Sequence, residues 1–134
     1  MSDTSPNTAP SPAVPRGDAD DQITLEVRAD GPRTLVVVSG EVDMLTSPQL
    51  RATVLDQLGE AAGVELVVLD LNAVTFLGTS GLAVLIELRE AAHTAGVELR
   101  LACTARRVLR PLTIAGLVSL FDIRDSQEAA LTGT

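Results

Sequence analysis

Hydrophobic and polar residues follow two different periods along the chain, one typical of strands and the other of helices. Ile23, Leu25 and Val27 alternate with polar residues, which predicts a strand with one buried face. Residues 35–38 and 66–69 contain only Leu and Val, as expected of strands covered on both faces. In total the pattern predicts five strands, near residues 23–27, 35–38, 66–69, 97–101 and 119–123.

Between these strands, apolar residues recur every three or four positions, which predicts four helices. Ser47 is the expected N-cap of the first helix, with Pro48 at its first helical position. The second helix is predicted over residues 82–92 and is expected to stop at Gly96, because glycine adopts the left-handed conformation that ends many helices.

The last two helices complete the order of elements. The third is predicted to open at Thr104 and to kink at Pro111, while Asp125 and Glu128 have the spacing of a capping box for the fourth. The order is therefore β-β-α-β-α-β-α-β-α. Strands that alternate with helices imply right-handed crossovers, so we expect an α/β fold with a mixed, mostly parallel sheet that begins with one antiparallel hairpin.

The start of the chain differs in composition from the rest. Residues 1–21 hold four of the seven prolines among Ser, Thr, Asp and Ala, which predicts a disordered tail before a folded domain at residues 22–134. The tail has neither a basic start nor a long apolar run, so it does not resemble a secretory signal. Elsewhere no apolar run reaches the eighteen residues that a membrane-spanning helix needs, so we expect no membrane insertion.

Composition excludes several classes of function. The chain has 10 basic residues, all Arg, and 18 acidic residues, and a net charge of −8 argues against a nucleic-acid partner. Two Phe, with no Trp or Tyr, leave little to stack on single-stranded bases. One Cys and one His cannot form a structural zinc site or a disulfide framework, and a lone Cys suits the cytoplasm. With these classes excluded, we expect the function of this protein to be contact with another protein.

The loops at the carboxyl ends of parallel strands are where such sheets meet ligands and partners. Three loops qualify, at residues 40–47, 71–81 and 103–107. The second contains Gly78-Thr79-Ser80-Gly81, which places two hydroxyl groups at a helix start, where backbone amides favour negative charge. The simplest interpretation is that Thr79 or Ser80 caps the helix. The glycine spacing is wrong for a P-loop, and the Gly-x-Ser-x-Gly pattern of a nucleophile elbow is absent.

Three segments carry a family resemblance. Residues 69–85, LDLNAVTFLGTSGLAVL, resemble the signature of the STAS domain family, which includes the bacterial anti-sigma factor antagonists, or anti-anti-sigma factors. The upstream GEVD at residues 40–43 is similar to the family's Gly-Glu-acidic motif, and residues 108–121 resemble its C-terminal region. The likeness extends over residues 22–131 and implies a STAS-like fold, a mixed and mostly parallel sheet packed by about four helices.

The resemblance also implies a mechanism, partner switching. In this family the serine before the last glycine of the signature, here Ser80, is phosphorylated by a partner kinase that is itself an anti-sigma factor. Thr79 is the neighbouring hydroxyl, Asp43 is the acidic residue beside the phosphorylation site, and Gly78 stands where the family commonly has Asp. The unmodified protein would bind the anti-sigma factor, phosphorylation would release it, and a PP2C-type phosphatase is a further expected partner.

The resemblance predicts both the contact residues and the absence of catalysis. The partner-binding set that it implies is Asp43, Met44, Thr46, Gly78, Thr79, Ser80 and Gly81. No catalytic residue, metal ligand or cofactor site is predicted. A Cys103–His93 dyad is rejected because the two residues fall at opposite ends of a helix–strand unit.

Alternatives remain open from the residues alone. A stand-alone STAS subunit that docks on a transporter ATPase would have the same fold, and a nucleotide-binding module that uses residues 78–81 is a third reading. Arg106, Arg107 and Arg110 form a basic cluster whose simplest interpretation is a solvated helix face. The cluster would alternatively contact an acidic partner near the Ser80 loop.

Overall fold

A five-stranded sheet with its strands in chain order forms the centre of the protein. The computed structural model describes residues 22–60 and 63–132, so the predicted tail at residues 1–21 lies outside the described residues. The strands are β1 (Ile23–Asp30), β2 (Arg33–Val42), β3 (Leu66–Leu77), β4 (Glu98–Ala102) and β5 (Asp122–Arg124). β1 pairs with β2 in antiparallel fashion and the other pairs are parallel, as the order of elements predicts.

Four α-helices in the described residues cover the sheet. They are α1 (Ser47–Glu60), α2 (Thr79–Ala95), α3 (Arg106–Ile114) and α4 (Gln127–Thr132). Apolar residues of α1, α2 and α3 share one buried cluster with the sheet, whereas Ala130 of α4 packs with a second cluster. In β2, Leu35 belongs to the second cluster and Val36 to the first. Because side chains alternate along a strand, the helices cover both faces, as the apolar runs predicted.

Polar side chains of the sheet hold the short helix α4 in place. Asp70, buried in β3, accepts a hydrogen bond from the side-chain amide of Gln127. Arg100, buried in β4, donates to the carbonyl of Ala130 at 2.7 Å. A buried ion is costly unless it is paired and bonded, and Arg100 satisfies this condition through Glu98 as well as α4. The C-terminal helix is therefore anchored by charge as well as by apolar contact.

Strand β3 is longer than the sequence pattern predicts. The expected loop at residues 71–81 is wrong over most of its length, because β3 continues to Leu77 beside β2. Two irregularities in the β2–β3 register accommodate Asn72 and Thr75, whose polar side chains had suggested a loop. As a result, Gly78 is the only residue between β3 and α2. The start of α2 is thus fixed directly to the sheet.

Three helix boundaries also differ from the predicted ones. The carbonyl of Thr46, rather than Ser47, accepts the first bonds of α1. Helix α3 begins after Ala105, and Pro111 lies inside it. At α4 the hydroxyl of Ser126 accepts the bond from the amide of Ala129, so Ser126 caps this helix and the predicted Asp125–Glu128 capping box is wrong. At α1 and α3 the backbone carbonyls of Thr46 and Ala105 accept the first helical amides, whereas at α4 the Ser126 hydroxyl serves as the cap.

Candidate partner-binding site

The carboxyl ends of β2 and β3 bring the two predicted motifs together. Val42 and Leu77 are paired at the last position of the two strands, and the amide of Gly78 donates to the carbonyl of Val42 at 2.9 Å. The chain leaves β2 at Asp43 and leaves β3 at Gly78, so the segments 43–46 and 78–81 begin side by side. The parallel pairing therefore places the acidic loop next to the Thr79–Ser80 hydroxyls.

Helix α2 begins without a side-chain cap. Gly78 is the N-cap, with φ −91° and ψ −179°, and no side chain bonds the free amides at this end. The expectation that Thr79 or Ser80 caps the helix is wrong, because both already lie in its first turn. Thr79 is exposed and Ser80 half-buried, and neither hydroxyl has a hydrogen-bond partner within the described residues. Both hydroxyls are left available for another molecule.

Close packing explains the glycine after Ser80. Gly81 is buried, and a Cβ built there would lie 2.7 Å from methyl groups of both Val42 and Leu77. Any side chain would push α2 away from the strand ends. At Gly78 a Cβ would lie 3.0 Å from the ring of Phe76, which is half exposed and has room to move. Gly81 therefore does not tolerate a side chain without a shift of α2, whereas Gly78 has room for a small one.

The loop before α1 is held by a reciprocal pair of residues. The amide of Asp43 donates to the Thr46 hydroxyl at 2.9 Å, and the Asp43 carboxylate accepts from the amides of Leu45 and Thr46 at 2.9 and 3.1 Å. The Thr46 hydroxyl donates in turn to the carbonyl of Glu41 at 2.7 Å. Thr46 is fully buried, so its predicted direct contact with a partner is wrong. It positions the loop instead.

Exposed apolar side chains lie on both segments that leave the sheet at the ends of β2 and β3. Met44 and Leu45 at the loop tip are 74% and 59% exposed, and Phe76 at the end of β3 is 52% exposed. Of these three, only Met44 belongs to the partner-binding set that the resemblance implies. Leu45 lies between two predicted site residues and Phe76 lies two residues before Gly78, and their apolar character at a loop and at a strand end is the signal that identifies them. Clustered exposed apolar residues mark surfaces that bind other proteins.

A groove of about 510 Å³ lies between the start of α2 and the face of α3. Phe76 and the exposed Thr79 both line this groove, so it adjoins the exposed apolar residue at the end of β3. The residues that line it include Phe76, Thr79, Leu82, Pro111 and Ile114, with Arg107 and Arg110 at its side. Ile114 is 75% exposed, so the α3 wall of the groove is an open apolar surface.

Arg107 fixes α3 beside this groove. Its guanidinium donates to the carbonyl of Val74 at 2.7 Å and to the carbonyl of Asn72 at 3.3 Å. The side chain of Asn72 accepts from the amide of Thr104 at 2.8 Å, which ties β3 to the segment before α3. Arg107 is exposed, as expected of a solvated helix face, but it also bonds the sheet, because the irregular end of β3 presents carbonyls that its guanidinium reaches.

The remaining candidate residues do not form a catalytic site. Cys103 is buried at the carboxyl end of β4, where burial raises the pKa of its thiol, and His93 is exposed near the other end of the sheet. A thiol with a raised pKa is a poor nucleophile. Among residues 22–60 and 63–132 there is no cluster of three or more potential metal-binding side chains. In the same part of the chain no helix has the length and apolarity to span a membrane.

Comparison with known proteins decides the family. Residues 23–130 match the STAS domain family. The chain belongs to this family. Anti-sigma-F factor antagonist RsfB of Mycobacterium tuberculosis, found in strains CDC 1551 / Oshkosh and ATCC 25618 / H37Rv, is 31% identical over 119 residues. That alignment covers 86% of this chain and 92% of RsfB, so it includes the whole site described above.

Solved structures agree with this assignment of the STAS fold. The crystal structure of an anti-sigma factor antagonist from Mycobacterium paratuberculosis has a TM-score of 0.76 and 30% identity, and the match covers 84% of this chain and 94% of that one. Bacillus SpoIIAA in its phosphorylated form has a TM-score of 0.61 and 14% identity, over 79% of this chain and 96% of SpoIIAA. At that identity the likeness concerns the fold alone. The mixed sheet with four helices is therefore the STAS architecture.

Proposed function

We propose that this STAS protein is an anti-sigma factor antagonist that acts by partner switching. In its unmodified form it binds an anti-sigma factor with serine-kinase activity, and phosphorylation of Ser80 releases that partner. The observation that carries the proposal is the free Ser80 hydroxyl in the first turn of α2, beside a surface of exposed apolar side chains. The names of the two relatives with 30% identity or more support the same role.

The modification is a transfer of the γ-phosphoryl group of ATP. The Ser80 Oγ–P bond forms as the bond between the γ-phosphorus and its bridging oxygen breaks. ADP leaves, and the hydroxyl proton passes to a base on the kinase. Neither the Thr79 nor the Ser80 hydroxyl has a hydrogen bond within the described residues that the kinase would have to break. Ser80 is the acceptor by its position before Gly81, and Thr79 is the neighbouring candidate.

The phosphate would act on the interface rather than on the fold. It adds about −1.5 to −2 charges, and the amides at a helix N-terminus stabilise negative charge. We therefore expect phosphorylated protein to keep its structure. Like-charge repulsion and desolvation against a closely apposed partner are costly, so the complex loses affinity. Almost complete release requires a difference in affinity of about 5.5 kcal/mol between the two forms.

The unmodified interface is proposed to centre on exposed apolar residues. Met44 and Leu45 lie in the loop that follows β2, and Phe76 lies at the end of β3, just before α2 begins. Buried apolar side chains near the centre of an interface supply much of its binding energy. Gly78, Thr79 and Ser80 would then contact the partner through their backbone and hydroxyl groups.

The proposal extends to the other components of the switch. A PP2C-type phosphatase would hydrolyse the Ser80 phosphate and return the protein to its binding form. Because its proposed partners regulate transcription, we propose the cytoplasm as its location as well. It takes part as a binding protein and a phosphoryl acceptor rather than as a catalyst. Docking on a transporter ATPase is not favoured, because the relatives from Mycobacterium tuberculosis and Mycobacterium paratuberculosis reported above are named as antagonists.

Phosphoryl transfer with purified components tests the proposal. The chain is incubated with each anti-sigma factor kinase encoded by its host genome and with γ-labelled ATP. We expect one kinase to label the wild type and Thr79→Ala but not Ser80→Ala. The same kinase should form a complex with the unmodified chain. Equal labelling of Ser80→Ala and the wild type, or no binding by any of these kinases, would contradict the proposal.

A further inference from the structure

The arginines of this protein divide into two groups by their partners. Nine of the ten lie in the described residues, and six of these form an ion pair with a carboxylate. The pairs are Arg28–Glu26, Arg33–Asp30, Arg51–Glu87, Arg89–Glu90, Arg100–Glu98 and Arg124–Asp122. The remaining three, Arg106, Arg107 and Arg110, all lie in α3, and none forms an ion pair within the described residues.

The two outer arginines of α3 have no partner at all in the described part of the chain. Arg107 is satisfied by the carbonyls of β3, but Arg106 and Arg110 make no hydrogen bond or ion pair there. Helix α3 contains no acidic residue that would neutralise them. In a protein of net charge −8, this is a local basic surface that the protein's own carboxylates leave uncompensated.

The same helix forms one wall of the apolar groove. Arg110 lines the groove together with Pro111 and Ile114. On its other side Arg110 shares a smaller depression of about 280 Å³ with Arg106 and Leu109. A ligand that fills the groove with an apolar side chain would therefore carry its next residues past two unpaired guanidinium groups. Arginine at such a position binds carboxylates with defined geometry.

We propose that the α2–α3 groove binds an acidic segment of the partner protein, with an apolar side chain in the groove and carboxylates on Arg106 and Arg110. That the partner is the anti-sigma factor rests on the proposed function, whereas the chemistry of the groove does not. Charge complementarity favours an acidic segment. A neutral apolar segment would leave the two guanidinium groups unpaired, and a basic segment would be repelled by them. Thr79 lines the same groove, so the segment would pass close to the phosphorylation site.

This arrangement explains how a phosphate on Ser80 would weaken the binding of the partner. A partner segment rich in carboxylates already carries negative charge when it reaches the start of α2. A phosphate on Ser80 would add about −1.5 to −2 charges close to that segment. The partner would then lose affinity through repulsion even though Arg106 and Arg110 remain in place. Binding through these arginines should also weaken as salt screens them.

Peptide titration of the 15N-labelled full chain tests the groove without any kinase. The probes are two capped hexapeptides, Glu-Glu-Leu-Leu-Glu-Glu and Gln-Gln-Leu-Leu-Gln-Gln, at concentrations that detect complexes as weak as about 1 mM. We expect the acidic peptide alone to shift the amide signals of Thr79, Leu82 and Ile114. The double variant Arg106→Gln/Arg110→Gln should bind it at least about fivefold more weakly.

A matched control separates local charge from net charge. The double variant Arg28→Gln/Arg51→Gln removes two exposed, paired arginines outside the groove and should change the peptide affinity less than about twofold. Equal binding of the neutral peptide, unchanged binding by the α3 variant, or no shifts at the groove would overturn the proposal. If the α3 variant still binds the anti-sigma factor kinase like the wild type and releases it on phosphorylation, the groove proposal fails and the proposed function stands.

Discussion

Asp43 and Thr46 bond each other in both directions, the Asp43 amide to the Thr46 hydroxyl and the Thr46 amide to the Asp43 carboxylate, at 2.9 and 3.1 Å. This closes the loop that leads from β2 into α1. The loop tip, Met44 and Leu45, is exposed even though both residues are apolar. The acidic residue of the family motif therefore holds its loop in one conformation and is half-buried while it does so.

Replacing Thr46 by Val should destabilise the protein while keeping its shape. The valine removes the hydroxyl that serves both the Glu41 carbonyl and the Asp43 amide, and a buried polar group left unbonded costs about 1–3 kcal/mol. Thr46→Ser keeps the hydroxyl and is the matched control. Urea unfolding should show a loss of about 2 kcal/mol for Val and less than about 1 kcal/mol for Ser. Equal stability of the two variants would contradict this role of Thr46.

The loop-tip residues should matter for binding but not for folding. Met44 and Leu45 are exposed, so the double variant Met44→Ser/Leu45→Ser should leave the unfolding free energy within about 0.5 kcal/mol of the wild type. If they anchor the anti-sigma factor, its affinity should fall by about 10- to 100-fold. Val27→Ser, which removes a half-exposed apolar residue from β1, provides the control. Titration calorimetry measures the affinity of the partner for each of the two variants. If Met44→Ser/Leu45→Ser binds as tightly as Val27→Ser, this loop is not part of the interface.

Two glycines that lie in helices should respond to alanine in opposite ways. At Gly81 the new methyl group meets Val42 and Leu77 at 2.7 Å, and overpacking of this kind costs about 1–3 kcal/mol. At Gly59, an exposed position of α1, a Cβ meets nothing within 4 Å, so alanine should stabilise by about 0.5–1 kcal/mol. Denaturant unfolding measures both variants. A Gly81→Ala protein as stable as Gly59→Ala would show that α2 is not packed tightly on the strand ends.

The acid stability of the protein should depend on Asp122. A hydrogen bond from Arg124, with Coulombic attraction to Arg124 and Arg100, lowers the pKa of this carboxyl below its ordinary 3.8. The ionised carboxylate therefore contributes stability above pH 3.8, and that contribution disappears as the pH falls through the lower pKa of the folded state. Asp122→Asn lacks it at every pH. Its unfolding free energy should decrease less than that of the wild type when the pH is lowered from about 5 to about 2.

An exposed acidic residue without an ion pair supplies the control for Asp122. Asp56 lies on the outer side of α1 and has no bonded partner in the described residues. Asp56→Asn removes the same charge and should follow the wild-type pH dependence closely. The unfolding free energy of each variant is measured with urea as the pH is lowered. If it decreases equally for Asp122→Asn and Asp56→Asn, the Arg124–Asp122 pair does not stabilise the folded state.

The sequence predicts the order and direction of the strands because apolar runs and alternation determine which faces are buried. It does not predict that β3 continues to Leu77, since Asn72 and Thr75 are polar and only the pairing of their neighbours with β2 makes this segment a strand. The buried position of Thr46 and the carbonyl contacts of Arg107 escaped prediction for a related reason. The Thr46 hydroxyl bonds backbone groups of Glu41 and Asp43 that only the folded loop brings within reach, whereas Arg107 reaches a carbonyl of the distant strand β3. Motif residues are thus predictable from local sequence, whereas their solvent exposure is not.

The affinity of the anti-sigma factor for modified and unmodified protein tests the central claim most directly. Protein phosphorylated only on Ser80 is separated from the unmodified form, and both are titrated with the same partner at the same salt concentration. We expect tight binding of the unmodified form and a loss of at least about 100-fold on phosphorylation, with about 10,000-fold for a nearly complete switch. Affinities that agree within about threefold, with both forms folded, would contradict it.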